Sequence, residues 1–138
     1  MRLTRRDALA LGLGATAASF LPLRAVASAE EAIAAFTGGV EPAEGGVTLN
    51  APEIAENGNT VPVSVEAPGA TAIILIATGN PQPGVATFNF GPLAGAQSAA
   101  TRIRLAGTQE VIAIAKMADG GFARASRVVK VTIGGCGG

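Results

Sequence analysis

The chain has 138 residues, of which 49% are hydrophobic, with ten basic and ten acidic side chains. That length leaves room for one domain. Four basic residues and one acidic residue lie in 1–29, so the remainder holds six basic and nine acidic groups, a net charge of about −3. A mildly acidic domain with scattered cations does not favour nucleic-acid binding. The lack of histidine and the single cysteine exclude histidine-ligated metal sites and a disulfide within the chain.

The N-terminus, 1–29, has the pattern of a twin-arginine export signal. The pair Arg5-Arg6 precedes an apolar stretch over 8–23, which is short for a membrane span of about 20 residues. Small residues then offer a cleavage site before Ser28 or before Glu30. An ordinary N-terminal helix would not explain the arginine pair followed by an Ala-x-Ala exit. We therefore predict that the mature protein is exported to the periplasm.

The mature chain is predicted to open with a helix and to continue as strands. Glutamates at the start of 30–36 and Gly38-Gly39 after its end favour a short helix. Clusters of Gly, Pro and Asn then punctuate a series of apolar runs. The candidate strands are 46–50, 60–67, 71–78, 85–90, 99–106, 109–118 and 122–133. About seven strands at this spacing predict an all-β fold, an immunoglobulin-like antiparallel β-sandwich with a short N-terminal helix and a flexible C-terminal arm.

Two of these strands are apolar on both faces. Residues 72–77 contain no polar side chain, and in 109–118 Ile112 and Ile114 make the face opposite Val111 apolar as well. A two-layer sandwich buries only one face of each sheet, so the second face needs a cover. The N-terminal helix and a partner protein are both able to supply it. We expect a partner.

Two further strands carry local irregularities. In 60–67 three valines alternate with other residues, and Pro62 on the opposite face predicts an edge position. In 122–133 the alternation of apolar and polar residues fails near Ser126, which predicts a β-bulge.

The last five residues read Gly-Gly-Cys-Gly-Gly and follow the final predicted strand directly. Glycine visits most of φ/ψ space and these residues bury little area, so we predict a thin, mobile arm formed by Gly134, Gly135, Gly137 and Gly138 around Cys136. Three residues extend at most about 10 Å. A free thiol has a pKa of about 8.5. No Lys, Arg or His neighbours Cys136 in the sequence, so the activation of its thiol must come from a site that the arm visits.

The cysteine also admits plainer interpretations. An exposed thiol can be incidental, or it can pair with another chain in a disulfide. In an oxidising compartment, however, an unpaired thiol must survive where thiols are usually oxidised. We therefore predict that Cys136 is a functional covalent attachment point.

Little other chemistry is evident in the domain. Arg102 and Arg104 alternate with apolar residues, and a solvated strand face is the favoured interpretation over an anion site. No acid, base or metal site is predicted beside the one nucleophile, so the domain does not look self-sufficient as a catalyst.

Several stretches of this sequence resemble the SoxY family of sulfur carriers. They are the twin-arginine leader, Ala51-Pro52-Glu53-Ile54-Ala55-Glu56-Asn57-Gly58, the Gly79-Asn80-Pro81-x-Pro83 turn and Val131-Thr132-Ile133-Gly134-Gly135-Cys136-Gly137-Gly138. The resemblance implies that Cys136 carries sulfur intermediates covalently during thiosulfate oxidation, with no other cofactor. It also implies a heterodimer with a SoxZ-like subunit. The implied visitors are a haem-containing sulfur-loading enzyme, a manganese hydrolase that releases sulfate and a sulfane dehydrogenase.

The sequence thus predicts three parts: an export signal over 1–29, a sandwich over 30–133 and a carrier arm over 134–138. The predicted function is a periplasmic sulfur-carrier subunit that is not itself an enzyme. One alternative is an immunoglobulin-like binding module whose free cysteine crosslinks partners. Another is a carrier that uses a thiocarboxylate at the Gly137-Gly138 terminus. Such carriers are cytosolic and need activation by ATP, which an exported chain does not receive.

Overall fold

The computed structural model describes residues 24–133, so most of the predicted export signal and the whole predicted arm lie outside the described residues. Within that range one helix precedes nine strands. They are α1 (Arg24–Thr37), β1 (Ala43–Glu44), β2 (Thr48–Asn50), β3 (Ile54–Ala55), β4 (Val61–Glu66), β5 (Ala70–Ala77), β6 (Gly84–Asn89), β7 (Ser98–Ile103), β8 (Gln109–Met117) and β9 (Phe122–Val131). No helix within 24–133 is long and apolar enough to cross a membrane.

The strands form two sheets. The larger has the order β1-β9-β8-β5-β6, with β3 also paired to β9, and the smaller has the order β2-β4-β7. The long strands pair antiparallel, whereas β1 and β3 lie parallel to β9. The predicted antiparallel β-sandwich is therefore confirmed, and each of the seven predicted strands lies within three residues of its expected ends. The two-residue strands β1 and β3 were not predicted, because so short a segment has no periodicity.

The core lies between the two sheets. From the smaller sheet, the alternating valines of β4 point inwards, and Val61 and Val65 are at most 2% exposed. From the larger sheet, Ile73, Leu75 and Val111 belong to the same buried cluster. Each fully buried side chain of this size contributes about 1.5–3 kcal/mol relative to an exposed one. The apolar face predicted for 60–67 is thus the inner face of the smaller sheet.

The outer face of β5 and β8 is covered by α1, so our expectation that a partner covers it is wrong. A second buried cluster comprises Ala29, Ile76, Ile112 and Ile114, with Ala32, Ile33, Phe36, Ile74 and Phe122 packed around it. On the helix these residues recur at the spacing of one helical face. Because the helix belongs to the same chain, it covers the sheet without the entropic cost of association.

The helix begins earlier than predicted, at Arg24 rather than at Glu30, and it ends where expected. Gly38 and Gly39 follow it with φ of 65° and 92°. The amide of Gly38 donates to the Ala34 carbonyl at 2.8 Å. These positive φ values need glycine, which explains the end of the helix.

The predictions of an edge strand at Pro62 and of a bulge at Ser126 are both wrong. Pro62 lies in β4, the middle strand of the smaller sheet, so the prediction of an edge strand is wrong. Because β2 pairs only with 64–66, β4 has no strand on that side at Pro62, which explains why the proline is tolerated. The pairing of β8 with β9 passes through Ser126 without a shift, so the predicted bulge there is wrong as well. The register shifts occur in β5, at 70–72 and 75–76.

Candidate functional site

The structure positions the root of the predicted arm, although Cys136 and the glycines at 134, 135, 137 and 138 lie outside the described residues. The last described residue is Ile133, two residues beyond the end of β9. Its side chain is 67% exposed, so the packing of this side chain does not hold the root in place. The root is held instead by hydrogen bonds, most of them from the backbone.

Each residue from Lys130 to Ile133 takes part in a hydrogen bond with a neighbouring segment. The amides of Lys130 and Thr132 donate to the carbonyls of Glu53 and Ala55 at 2.9 and 3.0 Å, which continues the parallel pairing of β9 with β3. The Ile133 carbonyl accepts from the Gly58 amide at 2.7 Å. In addition, the amide of Val131 donates to the Thr108 hydroxyl at 2.9 Å and the Thr132 hydroxyl donates to the Glu56 carbonyl at 3.1 Å. The chain is therefore anchored up to the residue that precedes the arm.

The segment that holds Ile133 is itself tied to the end of β7. Gly58, which donates to Ile133, accepts in turn from the Leu105 amide at 2.7 Å. One glycine residue thus bridges Ile133 and Leu105, and the three bonds from its nitrogen to its carbonyl oxygen span at most about 4.2 Å. The Ile133 carbonyl oxygen therefore lies within about 10 Å of the Leu105 nitrogen. Ile133, the last described residue, therefore lies at the end of the sandwich where β7 finishes.

A side-chain network fixes two loops at this same end. The amide of Asn80 donates to the Arg104 carbonyl at 2.7 Å, and its oxygen accepts from the Ala106 amide and from Gln109, each at 2.9 Å. Gln109 is only 8% exposed and accepts from the Gly79 amide at 2.9 Å through its own oxygen. The loop after β5 is thus bonded to the loop between β7 and β8, which gives the end of the sandwich a defined shape.

A groove of about 690 Å³ opens beside this network, between β6 of the larger sheet and β7 of the smaller sheet. Arg102 and Arg104 line the groove, and so do Asn59 and Asn80 from the neighbouring loops. Both arginines are exposed, and neither forms an ion pair with any residue of 24–133. None of the groove residues is acidic.

Within 24–133 no group of three or more His, Cys, Asp or Glu side chains is placed to hold an ion. The one ion pair in that range joins Arg124 to Glu44 at 3.5 Å, next to β1 and away from the arm root.

The arm stays a prediction from the sequence, and the contacts around Ile133 were not predicted. Asn57 and Gly58 belong to one of the clusters of Gly, Pro and Asn that predict turns. The bonds of Gly58 to Ile133 and Leu105 depend on tertiary pairing and have no local signal. Arg102 and Arg104 were assigned to a solvated strand face. The structure agrees that they are exposed, and it adds that they line a groove at the end of the sandwich where the arm begins.

Comparisons with known proteins give consistent results. The family model described as "Sulfur oxidation protein SoxY" matches residues 33–136. Among solved structures, the sulfur carrier protein SoxY from Chlorobium limicola f thiosulfatophilum is 38% identical, with 78% of this chain and 98% of that chain covered and a TM-score of 0.67. The superoxide reductase (neelaredoxin) from Ignicoccus hospitalis is 19% identical, with 63% of this chain and 80% of that chain covered and a TM-score of 0.55, which shows a shared fold alone. None of the curated proteins matches the chain.

Proposed function

The chain belongs to the SoxY family of sulfur oxidation proteins, and on that basis we propose that it is a periplasmic carrier subunit that holds thiosulfate-derived sulfur covalently on Cys136. The observation that carries the proposal is that the family match runs to residue 136, the position of the only cysteine. The anchored root supports it, because a fixed point of departure is what a tethered thiol needs to be presented outside the fold.

The proposed chemistry takes place at one sulfur atom. The Cys136 thiolate forms an S–S bond with thiosulfate and two electrons leave to the haem enzyme, which gives Cys136–S–S–SO3⁻. Water then releases sulfate with two protons, and a persulfide stays on Cys136. The glycines at 134, 135, 137 and 138 give the arm reach and thinness, so that it enters a narrow active site on another protein. Tethering raises the effective concentration of the sulfur group at each enzyme.

The carrier is proposed to work with several proteins. A SoxZ-like subunit forms a heterodimer with it, and the visitors are the haem-containing loading enzyme, the manganese hydrolase and the sulfane dehydrogenase. Histidine, the commonest general base in enzymes, is absent from the whole sequence. In this proposal the visiting enzymes supply the catalytic groups, and this chain supplies the attachment point.

The decisive variant is Cys136→Ser, with the wild-type chain as its control. We expect the wild type from thiosulfate-oxidising cells to show added sulfur masses that Cys136→Ser lacks, while both unfold at the same denaturant concentration. Intact-mass spectrometry measures the additions. Loading that persists in Cys136→Ser would refute the assignment, and a wild-type mass that matches a disulfide to another protein would favour the crosslinking alternative.

A further inference from the structure

The groove between β6 and β7 has the charge and the position of a binding site for an anion. Residues 30–133 carry six basic and nine acidic side chains, yet two of the six cations line this groove and none of the acids does. Arg102 and Arg104 lie two residues apart around inward-facing Ile103, which is 6% exposed, so the two guanidinium groups share one side of the strand. A guanidinium is planar and donates two parallel hydrogen bonds to an oxyanion.

The root of the arm lies beside this groove. Gly58, which bonds to Ile133, precedes Asn59 of the groove lining, and Leu105, which bonds to Gly58, follows Arg104. Ile133 and Leu105 are within about 10 Å through that one bridging glycine. Cys136 is three residues beyond Ile133, and three extended residues span about 10 Å. The groove is therefore within reach of a group carried on Cys136.

We propose that the groove binds the anionic sulfur group carried on Cys136, through Arg102 and Arg104. The inference rests on the proposed function and adds to it a resting place for the loaded arm on its own domain. The occupant is the arm of residues 134–138 with a sulfonate at its tip. A persulfide or a free thiol has no oxyanion to offer the two guanidinium groups, so docking distinguishes the loaded arm from the emptied one.

The test loads the thiol without any enzyme. Tetrathionate reacts with the Cys136 thiolate by forming an S–S bond to one inner sulfur, and thiosulfate leaves, which places –S–SO3⁻ on the cysteine. Iodoacetamide provides the matched neutral cap on the same atom. The amide resonances of Asn59, Arg102 and Arg104 then report on the groove in the isotopically labelled chain.

We expect the sulfonate-loaded chain to shift these amide resonances and the neutral cap to leave them in place. Arg102→Gln/Arg104→Gln lowers the ratio of docked to free arm about fivefold, since each exposed ion pair between an arginine and the sulfonate changes that ratio only a few-fold. High salt has the same effect because exposed charges are screened.

The control variant is Lys116→Gln/Arg127→Gln, which also removes two positive charges, at residues that do not line the groove, and leaves docking unchanged. It is closely matched, because Arg102 loses a 3.4 Å bond to the Thr60 hydroxyl and Arg127 loses a 3.4 Å bond to the Leu49 carbonyl. Equal shifts with the neutral cap, or equal docking in both double variants, would overturn the proposal. Chemical loading needs only a thiol, so this result stands apart from whether cells load Cys136 with sulfur.

Discussion

Asn80 joins two loops at the end of the sandwich where Ile133 lies. Its one side chain bonds to the Arg104 carbonyl, the Ala106 amide and the Gln109 amide, and so ties the loop after β5 to the loop after β7. The sequence placed Asn80 in a turn next to proline, which is correct as far as local chemistry goes. Its partners are 24 to 29 residues away, and no pattern in the sequence identifies them.

Asn80→Ala is expected to lower the free energy of unfolding by about 1–3 kcal/mol, because it leaves the Ala106 amide and the nearly buried Gln109 amide without that acceptor. Asn89→Ala is the control, since Asn89 is exposed on β6, and it should change the free energy by less than about 0.5 kcal/mol. Chemical denaturation measures both. Equal losses in the two variants would show that the network contributes nothing.

At the scale of elements, the cover of the outer face of the larger sheet is the feature that the sequence did not predict correctly. The apolar outer faces of β5 and β8 were recognised from Ile112 and Ile114, but the cover was assigned to a partner. The pattern of apolar residues in a strand shows that a face must be buried. It does not show which element covers that face. The choice depends on whether α1 reaches the sheet, which it does through Phe36 and its neighbours.

The contact of α1 with the sheet centres on an aromatic pair. Phe36 and Phe122 meet edge to face with ring centroids 5.9 Å apart. Phe36→Ala should cost about 2 kcal/mol of unfolding free energy, less than a fully buried phenylalanine because Phe36 is half-buried.

A double-mutant cycle with Phe122→Ala should give a coupling of about 0.5–1.5 kcal/mol. Denaturant unfolding of the four proteins measures it. A coupling near zero would mean that the contact between these two rings does not stabilise the packing of the helix on the sheet.

At the scale of the whole molecule, the sandwich and its turns follow from alternation and from glycine and proline placement. The strands at 61–66 and 109–117 show it best, because their inward residues are those the pattern selects. The parallel strands at 43–44 and 54–55 could not be predicted from these patterns. Both pair with β9, the strand that leads to Ile133. Non-local pairing is what the sequence alone does not reveal.

The whole-chain account also includes export, which stays a prediction from Arg5 and Arg6. Arg5→Lys/Arg6→Lys should leave the precursor in the cytoplasm, because the twin-arginine route reads the pair itself and not merely its charge. Cell fractionation followed by immunoblotting measures this, with Arg2→Lys as the control. Normal periplasmic yield of the double variant would contradict the assignment of 1–29.

The central claim is that sulfur is carried on Cys136, and the C-terminal tryptic peptide, which begins at Val131 after cleavage at Lys130, reports on it directly. Its mass should be determined in protein from thiosulfate-oxidising cells, with and without prior reductant. We expect additions of one or more sulfur atoms, or of a thiosulfate-derived group, that fragmentation places on Cys136 and that reductant removes. A peptide that carries an unmodified thiol throughout thiosulfate consumption would contradict the account.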